Sequence, residues 1–196
     1  MSFWKNLFNS KKEPRDEKSQ SPFMPEKKDP VEIAFAHNFT EKGGRFLFTE
    51  SKKDSKKFFK KILEENNFKK SDVFTLDQEI SMFFEIDFTE ELFILKKKKI
   101  AFIKCEFLIA NTGGILISSN QIKNLNLAQL PEYIIVEAKT NQFANDVSEG
   151  MSKIKAFYSK NLPSNITTLN AKNNDKESDF LSHGNSSKNI YLLLQE

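Results

Sequence analysis

The sequence predicts an α/β fold: a mainly parallel sheet with helices on both faces. Three observations carry this. From Asp29 onward, helix-period segments alternate with short apolar runs rich in β-branched and aromatic residues. The last run, NIYLLL at 189–194, has no polar alternation, as a strand covered on both faces requires. A chain of 196 residues, 38% hydrophobic, is long enough for one core and short for two.

The elements follow in order. Residues 1–28 divide into an amphipathic head, with Phe3, Trp4, Leu7 and Phe8 in SFWKNLF, and a charged, Ser/Pro-punctuated linker. The head is expected to dock on its own domain, a partner or a membrane surface. A single folded domain is expected over 29–196. DPVE at 29–32 predicts a helix start, with Asp29 as N-cap, Pro30 at the first helical position and Glu32 completing a capping box. Val31, Ala34, Phe35 and Phe39 share a face, and Gly43 and Gly44 stop the helix. RFLFTES at 45–51 is a strand. The segment 53–66 is an amphipathic helix with Phe58, Phe59, Ile62 and Leu63 inward and its lysines in solvent. DVFTL at 72–76 is a strand, and Asp77 opens a short helix over 77–85. Residues 91–118 hold three apolar runs. EYIIVEA at 132–138 is a strand, 140–160 a helix, and NITTL at 165–169 a further strand before a polar loop.

Composition narrows the function classes. Lys+Arg 30 against Asp+Glu 27 leaves +3, far from the one-signed surface of non-specific nucleic-acid binding, so nucleic acid is not an expected partner. With 28 Lys against two Arg, the basic residues look like coding bias. Cys105, the only cysteine, excludes an internal disulfide, a multi-thiolate zinc site and an iron–sulfur cluster held by this chain. No secretory apolar segment and no run of about 18 apolar residues is present, so the expectation is a cytoplasmic protein without a membrane span.

Five of the six glycines lie at junctions, and two of these loops carry further hydrogen-bonding groups. ANTGG at 110–114 offers Asn111, Thr112 and the amides of Gly113 and Gly114. SHGNSSKN at 182–189 offers His183, Gly184, Asn185, Ser186, Ser187 and Lys188. Both suit a small anionic ligand. Neither matches a P-loop or a dinucleotide fingerprint. Each glycine taken singly is read first as supplying a positive φ for a turn. His37, within the first helix, is expected to be structural or on the surface.

CEFLIANTGGILISSNQ at 105–121, LPEYIIV at 130–136 followed by a helix, GGRFLF at 43–48, and HG at 183–184 before a final apolar strand together resemble the LUD-domain family, the lactate-utilisation protein C-like proteins. The resemblance spans 29–195. It implies a Rossmann-like sheet akin to the glucosamine-phosphate isomerase, ribose-phosphate isomerase and CoA-transferase group. It also implies work beside iron–sulfur and reductase-like subunits in lactate oxidation, those centres lying on the partners. Two motifs depart. Asn111 stands where the family has Glu, and an amide is neither base nor acyl-accepting nucleophile. The segment 167–180 lacks the family's Gly-Pro loop, with Asp179 retaining an acidic position.

Three functions follow as expectations. The first is a subunit in the oxidation of lactate or a related 2-hydroxy acid, binding a small anion at the two glycine loops. The second is a stand-alone enzyme of the isomerase or CoA-transferase type, which needs a general base near the anion, from His183, Asp179 or Glu106. The third is a non-catalytic binding or regulatory module.

Overall fold

The computed structural model describes residues 29–172 and 187–196. The expectations for the head and linker at 1–28, and for Asp179, His183, Gly184, Asn185 and Ser186, lie outside the described residues.

Helix α1 spans Val31–Glu41. Pro30 is its N-cap residue and no side chain caps it, which corrects the reading of Asp29 as cap. Pro30 has ψ 145°, outside the helical range, while its carbonyl already accepts the first helical bond, from Ala34 N at 3.0 Å. The glycines end α1 as predicted: Gly43 has φ +85°, and Gly44 N donates to Phe39 O at 2.9 Å. Strand β1 (Arg45–Thr49) follows, then α2 (Lys52–Glu65), whose N-cap Ser51 accepts from Asp54 N. After β2 (Val73–Thr75), Asp77 caps α3 (Gln78–Phe84) by accepting from Ile80 N at 3.0 Å. Next come β3 (Asp87–Phe88), α4 (Leu92–Leu95), β4 (Ile100–Lys104), β5 (Phe107–Ile109), β6 (Gly114–Ile117) and α5 (Ser119–Ile122). β7 (Tyr133–Lys139), β8 (Phe143–Ala144), α6 (Val147–Tyr158), β9 (Thr167–Ala171) and β10 (Ser187–Gln195) complete the described chain.

Among the described residues, ten strands run in the order β3-β2-β4-β7-β10-β9-β6-β5-β8, with β1 also pairing β10. The ladders are parallel except β5–β6 and β6–β9. The α/β class with a mainly parallel sheet therefore holds. Two local expectations are corrected. The helix expected over 140–160 begins only at Val147, because Phe143–Ala144 pair with β5 and Asp146 then accepts from Glu149 N at 2.8 Å to start the helix. The runs at 107–117 form an antiparallel hairpin rather than further parallel strands.

Burial alternation divides the molecule into layers. Phe59, Ile62 and Leu63 of α2, with Ile80 and Phe84 of α3, pack on one face of the main sheet against Phe102, Ile135, Tyr191 and Leu193. The other face, with Ile103, Val136, Leu192 and Leu194, packs against Leu108, Ile115, Ile117 and Leu169 of the smaller β5–β6–β9 portion. Phe35 and Phe39 of α1 fill that same layer, stacked 5.3 Å apart. Ile154 of α6 covers the far side, against Ile109, Leu116 and Ala144. Among the described residues, no helix is long and apolar enough to cross a membrane.

Candidate functional site

The β5–β6 hairpin turn carries Asn111, Thr112 and Gly113. Gly113 has φ +65° and its N donates to Ile109 O at 2.8 Å. Gly114 N donates to Thr112 Oγ1 at 3.2 Å, and Asn111 N to Asn145 O at 3.0 Å. The turn lies against α1: Asn38 Nδ2 donates to Ala110 O at 2.7 Å, and a Cβ on Gly113 would sit 2.4 Å from Phe39 N. The glycine is thus required by a left-handed backbone and by close approach to a helix. Asn111 is exposed and Thr112 half-buried.

The sheet brings this turn to the start of β10. A Cβ on Gly114 would lie 3.4 Å from Asn170 Oδ1, and Asn170 stands in register with Ser187. Gly114, Asn170 and Ser187 thus occupy three consecutive strands, β6, β9 and β10. Lys188 is buried beside them, and its Nζ donates to Leu130 O at 2.9 Å. Burial holds that ammonium below its ordinary pKa, with Glu132 offsetting part of the effect.

Glu106 is 7% exposed and forms a second group. Its carboxyl accepts from Ser118 Oγ at 2.6 Å, Gln121 Nε2 at 3.0 Å and Tyr158 OH at 3.1 Å. It therefore ties the exit of β4 to the starts of α5 and the end of α6. The Tyr158 hydroxyl is pushed above its ordinary pKa by burial and by Glu106, against a hydrogen bond from Asn120. The adjacent thiol of Cys105 is buried and held well above the ordinary range by burial, then by Glu106 and Glu137. A buried neutral thiol is a poor nucleophile.

A third group, absent from the sequence reading, lies at the carboxyl edge of the main sheet. β2 runs on to β3 on one side and β4 runs on toward β7 on the other, so their carboxyl ends flank a topological switch point. Asp77 Oδ2 and Lys104 Nζ meet there at 2.8 Å, and Glu79 Oε2 approaches the same ammonium at 2.7 Å. Lys104 is in register with Glu137 on β7. Gln195 Nε2, at the end of β10, donates to Glu137 Oε1 at 2.6 Å and to Ser55 Oγ at 3.2 Å. Burial raises the Glu137 carboxyl above the ordinary range, with Lys104 partly opposing and Asp77 adding to the shift. For Asp77 and Lys104, burial opposes ionisation, but their mutual hydrogen bond and those to Ile80 N and Glu79 prevail: the Asp77 pKa falls and the Lys104 pKa rises. The signal in the sequence was slight: each of Lys104, Glu137 and Gln195 is a polar residue closing an otherwise apolar run.

A cleft of about 370 Å³ between α2 and the end of α3, floored by Phe59, Leu63, Phe68 and Phe84, shares no residue with these groups. Among the described residues, no group of three or more His, Cys, Asp or Glu side chains is placed to hold a metal ion.

No protein-family model matches the chain, and no curated protein matches it in sequence. Among solved structures, a DUF162 family protein from Deinococcus radiodurans is similar with a TM-score of 0.61 at 14% identity, covering 85% of this chain and 96% of that chain. With its parallel main sheet and flanking helices, the chain thus has a Rossmann-like α/β fold shared with that DUF162 protein.

Proposed function

We propose that this chain is a divergent LUD-domain protein, acting as an accessory subunit in the oxidation of lactate or a related 2-hydroxy acid. DUF162 is a designation of the LUD-domain family, and the likeness over nearly the whole of the neighbour's chain is the observation that carries the reading. In this reading the chain holds no redox centre of its own, since one cysteine cannot ligate a cluster. Iron–sulfur and reductase-like partner subunits pass the electrons, in the cytoplasm.

The ligand is a small anion at the corner where the β5–β6 turn, Asn170 and the start of β10 converge. The adjacency of Gly114, Asn170 and Ser187 supports that location, as does the exposed amide of Asn111. His183, Gly184, Asn185 and Ser186 precede Ser187 and Lys188 in the sequence and belong with them to the proposed binding set. A stand-alone isomerase-like or transferase-like enzyme is the second reading, favoured by the partly buried Glu137 carboxyl on β7, one strand from the switch point. Glu106 already accepts bonds from Ser118, Gln121 and Tyr158, an arrangement suited to holding elements together.

The test is made in the source cells. A strain lacking the gene should fail to oxidise lactate, and the tagged full chain should recover an iron–sulfur or reductase-like subunit. Normal lactate oxidation in that strain would sink the reading.

A further inference from the structure

We infer that the carboxyl edge formed by Lys104, Glu137 and Gln195 is a second ligand site, which takes the carboxylate of a small 2-hydroxy or 2-oxo acid on Lys104 and its 2-oxygen beside Glu137. The ligand class rests on the organic-acid reading above; the location and the residues are independent of it.

β4 is buried from Ile100 to Ile103 and β7 from Ile134 to Val136, and the next residues, Lys104 and Glu137, place a polar group on the face shared with α2 and α3. Gln195 closes β10 on the same side, two residues beyond Leu193, the register partner of Glu137. Polar side chains at the ends of adjacent parallel strands, beside a switch point, form the usual ligand crevice of an open α/β sheet.

The ammonium of Lys104 has two carboxylate partners of different character. Asp77 is fixed: its side chain is 29% exposed, and it also caps α3 through Ile80 N. Glu79 is 83% exposed and approaches from the open side. Glu79 therefore occupies the position that an incoming carboxylate would take, and an exposed ion pair of this kind contributes little to stability, so it exchanges readily. Gln195 holds Glu137 Oε1, while among the described residues no donor meets Oε2. That oxygen is left to accept from a ligand hydroxyl, or, protonated, to donate to a ligand carbonyl. Burial raises the Glu137 carboxyl, with Lys104 opposing and Asp77, Lys139 and Gln195 also acting on it, which favours the protonated form relative to a solvent-exposed carboxyl.

The experiment titrates the purified full chain with carbon-13-labelled lactate, glycolate and pyruvate, read by NMR. Wild type is compared with Asn111→Ala, which silences the hairpin corner, and with Glu79→Ala and Lys104→Met made on that Asn111→Ala parent, thermal melts confirming that each is folded. Removing the competing Glu79 should tighten binding about two- to fivefold. Lys104→Met should weaken it about tenfold or more. With the hairpin corner silenced, the Asn111→Ala parent should still bind. No tightening in Glu79→Ala, or no weakening in Lys104→Met, overturns the site. Absence of binding by the Asn111→Ala parent also overturns it and returns the ligand to the hairpin corner, leaving the accessory-subunit reading intact. Absence of binding by wild type overturns it as well, while the gene-loss experiment still decides the broader reading.

Discussion

At the scale of single residues, two positions show how the fold constrains chemistry. Gly113 combines a left-handed backbone with a Cβ position 2.4 Å from backbone atoms of α1, and a helix backbone cannot yield as a flexible side chain would. Gly113→Ala is therefore expected to destabilise by about 2–5 kcal/mol, the sum of the left-handed penalty and overpacking, measured by chemical denaturation. Glu137 gives a pH-dependent counterpart. Its carboxyl is raised in the folded chain, chiefly by burial, so the folded state disfavours the ionised form. The associated stability is complete below the ordinary carboxylate range and is lost as pH rises through the raised folded value. Glu137→Gln keeps an acceptor for Gln195 and removes that loss. Its stability relative to wild type should increase from about pH 4 to about pH 8; a difference independent of pH would contradict the assignment.

At the scale of elements, the start of α3 was legible because its signal is local: Asp77 accepts a hydrogen bond from Ile80 N, three positions on. The apolar stripe of α2 was legible for the same reason. Asp146 accepts in the same way from Glu149 N, but the helix was expected from Thr140, because the pairing of Phe143–Ala144 with β5 that delays it is not local. Strand pairing is not local. Nothing in FLIANTGGILI states that the glycine turn folds β6 back against β5, although the pair invites a turn. β8 has only two residues and shows no periodicity before its partner β5 is known. The carboxyl-edge group was illegible because its members are distant in sequence: Gln195 and Glu137 are 58 residues apart and meet only through the register of β7 and β10. The Glu106 clamp is of the same kind, since Tyr158 reaches it across 52 residues. Tyr158→Phe removes one donor to a buried carboxyl and should cost about 1–3 kcal/mol, with helix α6 losing amide-exchange protection before the main sheet. Unchanged stability would reduce the clamp to a surface contact.

At the scale of the whole molecule, the two portions of the sheet enclose one core, with α1 inserted between them and α2, α3 and α6 outside. The continuous apolar run of β10 follows from its place: it pairs β7 along one edge, and β9 and then β1 along the other. This geometry also explains why the first glycine loop and the entry to β10, far apart in sequence, converge on one corner. The fold is that of the DUF162 protein, and the proposed role depends on whether that corner binds an organic acid.

The most direct measurement is the thermal midpoint of the purified full chain against lactate, glycolate, pyruvate, CoA esters and sugar phosphates, with Asn111→Ala run beside it. A ligand at about 100 times its dissociation constant adds roughly 2.7 kcal/mol, a shift of several degrees at about 2–4 °C per kcal/mol. The account predicts a shift with lactate or a related 2-hydroxy acid that shrinks in Asn111→Ala. A shift only with sugar phosphates or CoA esters, or none with any compound, would contradict it.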